Sequence, residues 1–179
     1  FLAELIGTFL LVLFGCGAVA TAVLTKAQIG IWQVAVVWGF GIALAIYATR
    51  AISGAHINPA ITLAMVLFRR NTFPARKVIP YIFAQMLGAF LAATVLYVLF
   101  SPLISSFEVA NNLTRGESGS QLSAMIFGEY FPNPSLFGTS PKVWPLVPVW
   151  IAFLAEALGT AILSFFVFAL TDPKNEGTP

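Results

Sequence analysis

Ser53-Gly54-Ala55-His56-Ile57-Asn58-Pro59-Ala60-Ile61-Thr62 interrupts an otherwise apolar chain with residues that hydrocarbon rejects. Gly, Ser, His, Asn and Pro in succession cannot simply continue a spanning helix. Asn58 is placed to cap a new helix, and Pro59 stands at the favoured first helical position. The apolar run that follows, to about Phe68, is too short to cross a bilayer and reads as re-entrant. Irregular backbone persists at membrane depth only where protein buries it or where it lines a wet cavity. The stretch therefore points to a pore or a solute site.

The flanking chain is membrane-like. Charged residues make up 9% of it, against about 25% in soluble domains. Apolar residues make up 59%, and the mean hydropathy is +0.90. A net charge of +2 is too small to imply a nucleic-acid partner. The single Cys16 lies in an apolar run, which excludes a disulfide framework or a cysteine metal site and leaves a buried free thiol. The opening Phe1-Leu2-Ala3-Glu4 has no basic leader and reads as a helix already under way. With the polar close at Asn175-Glu176-Gly177-Thr178-Pro179, it suggests a piece of a longer membrane protein.

Four apolar segments are long enough to span the roughly 30 Å hydrocarbon core. They run from about Phe1 to Leu24, Ile31 to Ala48, Lys77 to Phe100 and Val147 to Leu170. Lys26 and Gln28 end the first, Thr49-Arg50 the second, and Thr171-Asp172-Pro173 the fourth. Trp32, Tyr47, Tyr97, Trp144 and Trp150 fall near segment ends, where interfacial aromatics belong. Arg50, Arg69, Arg70, Arg76 and Lys77 gather between segments two and three, which places that link in the cytoplasm. The long link from about Ser101 to Pro145 then faces outward and is expected to pack over the outer mouth. It carries a sequon-like Asn112-Leu113-Thr114 and a turn-forming Pro132-Asn133-Pro134.

Ala3-Glu4-Leu5-Ile6-Gly7-Thr8 recurs as Ala155-Glu156-Ala157-Leu158-Gly159-Thr160. Three spans separate the starts of the two copies, so the second enters the membrane from the opposite side. That is the pattern of an inverted repeat with a site near the midplane. The expected organisation is a first repeat over residues 1–100, with the half-helix at about 58–68, an outer loop over 101–146, and the start of a second repeat over 147–179. A second re-entrant motif is expected beyond Pro179.

Glu4 and Glu156 are carboxylates inside apolar spans, which makes them functional candidates. They could relay protons or cations. The favoured reading is that each accepts N–H groups from an unwound loop and braces it. The small residues of Gly54, Ala55, His56 and Ile57 let backbone approach a permeant and could present a row of carbonyl acceptors. With no second histidine, His56 reads as a packed or hydrogen-bonded imidazole rather than a metal ligand. Asn58 is either a plain cap or an amide donor to a permeant's oxygen, beside a helix N-terminus that disfavours cations. Trp38, in Val37-Trp38-Gly39-Phe40-Gly41, reads as a packing residue, with the adjoining Gly-x-Gly allowing close helix contact. Ala3-x-x-x-Gly7 and Gly88-x-x-x-Ala92 do the same.

Together, Ala3-Glu4-x-x-Gly7-Thr8, Ser53-Gly54-Ala55-His56-x-Asn58-Pro59-Ala60-x-Thr62 and Ala155-Glu156-x-x-Gly159-Thr160 closely resemble the major intrinsic protein family of aquaporins and glycerol facilitators. The resemblance covers nearly all of the chain, but only about two thirds of a family member. It implies an all-α membrane bundle of six spans plus two half-helices, of which four spans and one half-helix lie here. It also implies a homotetramer with one pore per subunit. Asn58, Pro59 and Ala60 would be the first signature motif, the Gly54–Ile57 carbonyls half of the polar stripe, and Glu4 and Glu156 the loop braces. Trp38 would join the aromatic constriction, where water channels typically carry Phe and glycerol facilitators Trp. Tyr130-Phe131-Pro132-Asn133-Pro134 and Arg76-Lys77-Val78-Ile79-Pro80 also resemble the glycerol branch. The implied function is passive passage of glycerol and small polyols, with some water, through a cell membrane, plasma or bacterial inner. No catalysis, cofactor, metal or nucleic acid is expected. The alternatives are a water-selective pore, a proton-coupled transporter using Glu4, Glu156 or His56, and a membrane scaffold.

Overall fold

The computed structural model describes residues 1–27, 30–172 and 174–175. Gln28, Pro173 and residues 176–179, invoked above as segment ends or as the close of the chain, lie outside the described residues. The described chain is all helix and turn: α1 (Leu2–Thr25), α2 (Ile31–Ser53), α3 (Pro59–Phe68), α4 (Val78–Ala110), α5 (Gln121–Ala124), α6 (Pro134–Phe137) and α7 (Val149–Leu170). Single 3-10 segments, Ala75–Lys77 and Pro141–Leu146, precede α4 and α7. Helices α1, α2, α4 and α7 are long and apolar enough to cross a membrane, and α3 is not.

Two boundaries differ from the sequence reading. Helix α2 runs past Ala48 to Ser53, because the polarity of Thr49 and Arg50 does not break a helix. Thr49 instead returns its hydroxyl to the Ala45 carbonyl at 2.7 Å. The break comes at Gly54, whose φ of +86° only glycine adopts freely, with its N–H on the Arg50 carbonyl at 2.9 Å. Helix α4 likewise continues past Phe100 to Ala110, with Pro102 inside it. Proline has no N–H for the carbonyl four residues back. The Ser101 hydroxyl donates to that carbonyl, of Val98, at 3.2 Å, so the helix carries on. The first ten residues of the expected outer loop are thus helical. At 33 residues, α4 is about 50 Å long and outreaches the hydrocarbon core.

Small residues bring the spans together. Helix α1 packs against α4 and α2, with Ala20, Ala45, Ala84 and Ala92 fully buried. A Cβ at Gly88 would strike the backbone of Leu5 and Phe9, so α4 and α1 touch main chain to main chain there. At the α1–α2 seam, Gly41 receives Phe14, and Gly7 receives Thr49 together with Ile57. Gly39 is different: among the described residues nothing lies within 4 Å of its added Cβ, so there only the second glycine of the Gly-x-Gly pair makes helix contact.

The loop after α4 is anchored at two points. Ile126 is buried against Ala20 and Ile104, at one end of α1 and α4. Glu108, 8% exposed, takes the Arg115 Nε at 2.9 and 3.0 Å and the Ser123 hydroxyl at 3.0 Å. Arg115 Nη1 donates onward to Tyr97 at 2.7 Å. Trp32, Tyr47, Tyr97, Trp144 and Trp150 are all exposed, as lipid-facing or interfacial rings would be. At the other end, Arg69 closes α7. Its Nη1 donates to the Thr171 carbonyl at 3.1 Å and hydroxyl at 3.0 Å, and its Nη2 to the Phe168 carbonyl at 2.9 Å.

Candidate functional site

The polar centre of the molecule forms around Glu4, which is fully buried in the first turn of α1. Its Oε1 accepts the Ser53 hydroxyl at 2.6 Å and the His56 N–H at 3.0 Å. Its Oε2 accepts the Ile57 N–H at 2.8 Å and the Gln85 amide at 2.8 Å. Both oxygens are therefore engaged twice, by donors from α2, the following loop and α4. A buried carboxylate is tolerable on these terms, because its charge is met by fixed dipoles.

The loop it holds is strained. Ala55 and Ile57 have φ of +51° and +42°, and Ile57 is β-branched, for which this region is a genuine outlier. Such a residue costs on the order of 1–3 kcal/mol and persists only where its surroundings over-determine it. Here the Ile57 N–H is fixed on Glu4 and its Cγ2 rests on Gly7, where a side chain would collide. With their N–H groups turned to Glu4, His56 and Ile57 leave their carbonyls elsewhere. Among the described residues, the carbonyls of Gly54, Ala55, His56 and Ile57 accept no hydrogen bond.

Asn58 then caps α3. Its Oδ1 accepts the N–H of Ala60 at 2.8 Å and of Ile61 at 3.4 Å, and Pro59 fills the first helical position. Using Oδ1 this way fixes the amide orientation. The NH2 side of Asn58 has no partner among the described residues and keeps two donors. Beneath the cap, Thr62 Oγ1 donates to the Asn58 carbonyl at 3.0 Å and accepts the Gln85 amide at 3.0 Å. His56 Nδ1 lies 3.2 Å from the same hydroxyl, and the arrangement satisfying all three contacts puts a proton on Nδ1. The imidazole also packs 4.5 Å from the Phe73 ring and 5.1 Å from Tyr81, whose hydroxyl donates to the Ser53 carbonyl at 2.9 Å. His56 is thus a packed, hydrogen-bonded ring.

The whole sequence, residues 1–179, matches the sequence profile of the Major intrinsic protein family. The chain belongs to that family. It is 42% identical over 178 residues to the glycerol uptake facilitator protein of Haemophilus influenzae, covering 99% of this chain and 62% of that relative. It is also 42% identical over 173 residues to the propanediol uptake facilitator PduF of Salmonella typhimurium, covering 97% of this chain and 60% of PduF. The glycerol uptake facilitator protein of Escherichia coli K12 matches at 42% over 178 residues, 99% of this chain and 58% of its own length. The chain therefore spans about three fifths of the curated relatives it matches. An all-α, multi-pass membrane protein of the aquaporin-like kind is what the family and the four membrane-length helices have in common.

The structure of this family member brings Glu4, Gly54, Ala55, His56, Ile57, Asn58, Pro59 and Ala60 into one cluster. It does not bring Glu156 there. Glu156 is exposed on α7 and has no hydrogen-bond partner among the described residues. Trp38 stands apart on α2, half-buried, with its six-membered ring against Gly15 of α1. Gln85 and Thr62 are central residues that the sequence reading passed over. Gln85 had a signal, since an amide inside an apolar span needs a partner as a carboxylate does. Thr62 gave none beyond its place in the motif.

Proposed function

We propose that the complete protein is a passive channel for glycerol and other small neutral solutes, with some water. One observation carries the reading. Four successive carbonyls, Gly54 to Ile57, and the NH2 of the Asn58 amide, whose oxygen caps α3, have no partner among the described residues. A hydroxyl both accepts and donates, so a polyol or water can exchange its hydration for this pair of edges. The N-terminus of α3 carries roughly half a positive charge and disfavours cations. Asn58, Pro59 and Ala60 act as the first signature motif, and Trp38 supplies an apolar wall for a polyol's carbon face. Glu4 braces the loop, and Glu156 does the same for a second loop. The relatives named for glycerol and propanediol uptake support small polyols as permeants. The family resemblance supports a homotetramer, a membrane-spanning inverted repeat over residues 1–100 and from 147 onward, and between them an outer segment over 101–146, whose first ten residues extend α4. No covalent step is involved.

The occupied oxygens of Glu4 argue against a proton relay. Liposome swelling tests the choice. Fast swelling in glycerol, insensitive to pH and voltage, is expected. Saturable, proton-coupled uptake would overturn the channel.

A further inference from the structure

Gly15 lies in the middle of α1, buried, with the indole of Trp38 directly over it. A Cβ built at Gly15 would fall inside van der Waals contact with Cε2, Cζ2 and Cη2 of that indole. The six-membered ring therefore rests on the main chain of α1 itself. On the same seam, Gly41 of α2 receives the Cβ of Phe14 from α1. Each helix thus offers a glycine to an aromatic residue of the other, and the two contacts interlock. The ring cannot retreat, because backbone stands behind it. Beside it on α2, the added Cβ of Gly39 meets nothing within 4 Å among the described residues.

We propose that Gly15 is a specificity-determining positioning residue: by seating the Trp38 indole against α1, it sets how far that ring reaches and so how wide a polyol can pass. The inference rests on the channel reading and on Trp38 facing the permeant. A methyl group at Gly15 needs the ring to move by roughly an ångström to restore a normal carbon–carbon separation. With the α1 main chain behind it, the ring is pushed away from α1. Water, being narrow, is affected less than a solute with a carbon backbone. Gly17, two residues on, makes an ordinary 3.4 Å contact with Leu96 and serves as the control.

The test uses the complete protein in liposomes, with water, glycerol and a four-carbon polyol as permeants. Gly15→Ala should lower the glycerol-to-water permeability ratio at least threefold and the four-carbon polyol further still. Gly17→Ala should leave the ratio unchanged. In a Trp38→Phe background, Gly15→Ala should have no additional effect on the ratio, since the ring it displaces is gone. An equal loss of water and glycerol flux, or an undiminished effect without the indole, would overturn the proposal. If Gly15→Ala fails to assemble, the double variant must restore assembly with the ratio of Trp38→Phe alone, and failure to do so also overturns it. Unaltered protein that passes no glycerol defeats the channel reading itself, and the Gly15 proposal with it. Unaltered protein that passes glycerol with a silent Gly15→Ala defeats the Gly15 proposal only.

Discussion

The Ile57 N–H donates to Glu4 Oε2 at 2.8 Å, joining the first turn of the chain to the loop before α3. That bond and its neighbour from His56 hold a left-handed β-branched residue in place. Glu4→Gln keeps the shape but replaces one acceptor oxygen with a donor. Either Ile57 and Gln85 or Ser53 and His56 then face an NH2 group. Leaving a buried donor unpaired costs about 1–3 kcal/mol, so a loss of about 2–4 kcal/mol is expected. Solute flux should fall with it, as the loop relaxes out of its strained conformation. Thermal unfolding of the complete protein in detergent, with flux in liposomes, checks both. A variant with unchanged stability and flux would remove Glu4 from the brace.

What the sequence made legible was local. Asn58-Pro59 sets the start of α3 through a cap and a ring, both short-range devices. The polar cost of Glu4 in hydrocarbon singled it out before any partner was visible. What stayed hidden was where particular side chains turn, two of them back onto their own helix and one across to another. Thr49 and Arg50 look like a helix end until the Thr49 hydroxyl is seen on its own helix. Ser101-Pro102 looks like a stop until the serine is seen occupying the acceptor that proline leaves open. The seating of Trp38 on Gly15 joins two helices face to face and has no period or motif to betray it.

Gly88 and Gly17 make a matched pair. A Cβ at Gly88 would meet main-chain atoms of Leu5 and Phe9, which cannot step aside without parting α4 from α1. Gly88→Ala is therefore expected to destabilise by about 1–3 kcal/mol or more, as overpacking does. It also shifts Gln85 away from Glu4, so flux should drop. At Gly17 the neighbour is the end of the Leu96 side chain at 3.4 Å, and Gly17→Ala should be near neutral. Equal melting temperatures for the two variants would contradict the backbone contact.

Arg69 links the end of α3 to the end of α7. Its own N–H closes α3 on the Met65 carbonyl, while its guanidinium takes three acceptors at Phe168 and Thr171. It also lies 4.8 Å from the centre of the Phe168 ring. A cation at a helix C-terminus contributes about 0.3–1 kcal/mol, and up to roughly 2 when partly buried. Arg69→Ala should lower stability by about 1–2 kcal/mol and loosen α7. Arg69→Lys should recover only part, since an ammonium lacks the planar fork. Limited proteolysis near Thr171 reads the loosening, and full recovery by lysine would show that charge alone suffices.

Glu108 and Arg115 pin the loop that follows α4. The carboxylate is nearly buried, whereas the arginine side chain is half exposed. Removing the arginine leaves Glu108 with the Ser123 hydroxyl and frees the hydroxyl of Tyr97. Arg115→Met is expected to cost about 1–2 kcal/mol, less than a fully buried pair because water reaches the site. The cost should fall on the loop rather than on the spans, since Ile126 still plugs the end of α1 and α4. Hydrogen exchange should therefore rise several-fold at the amides of residues 111–123 and stay unchanged in α1. Replacing both residues, as Glu108→Gln with Arg115→Met, should return most of the protection, because no charge is then left buried without a partner. Exchange that rises equally in α1, or a double variant as exposed as the single, would show that the pair does not act as the loop's anchor.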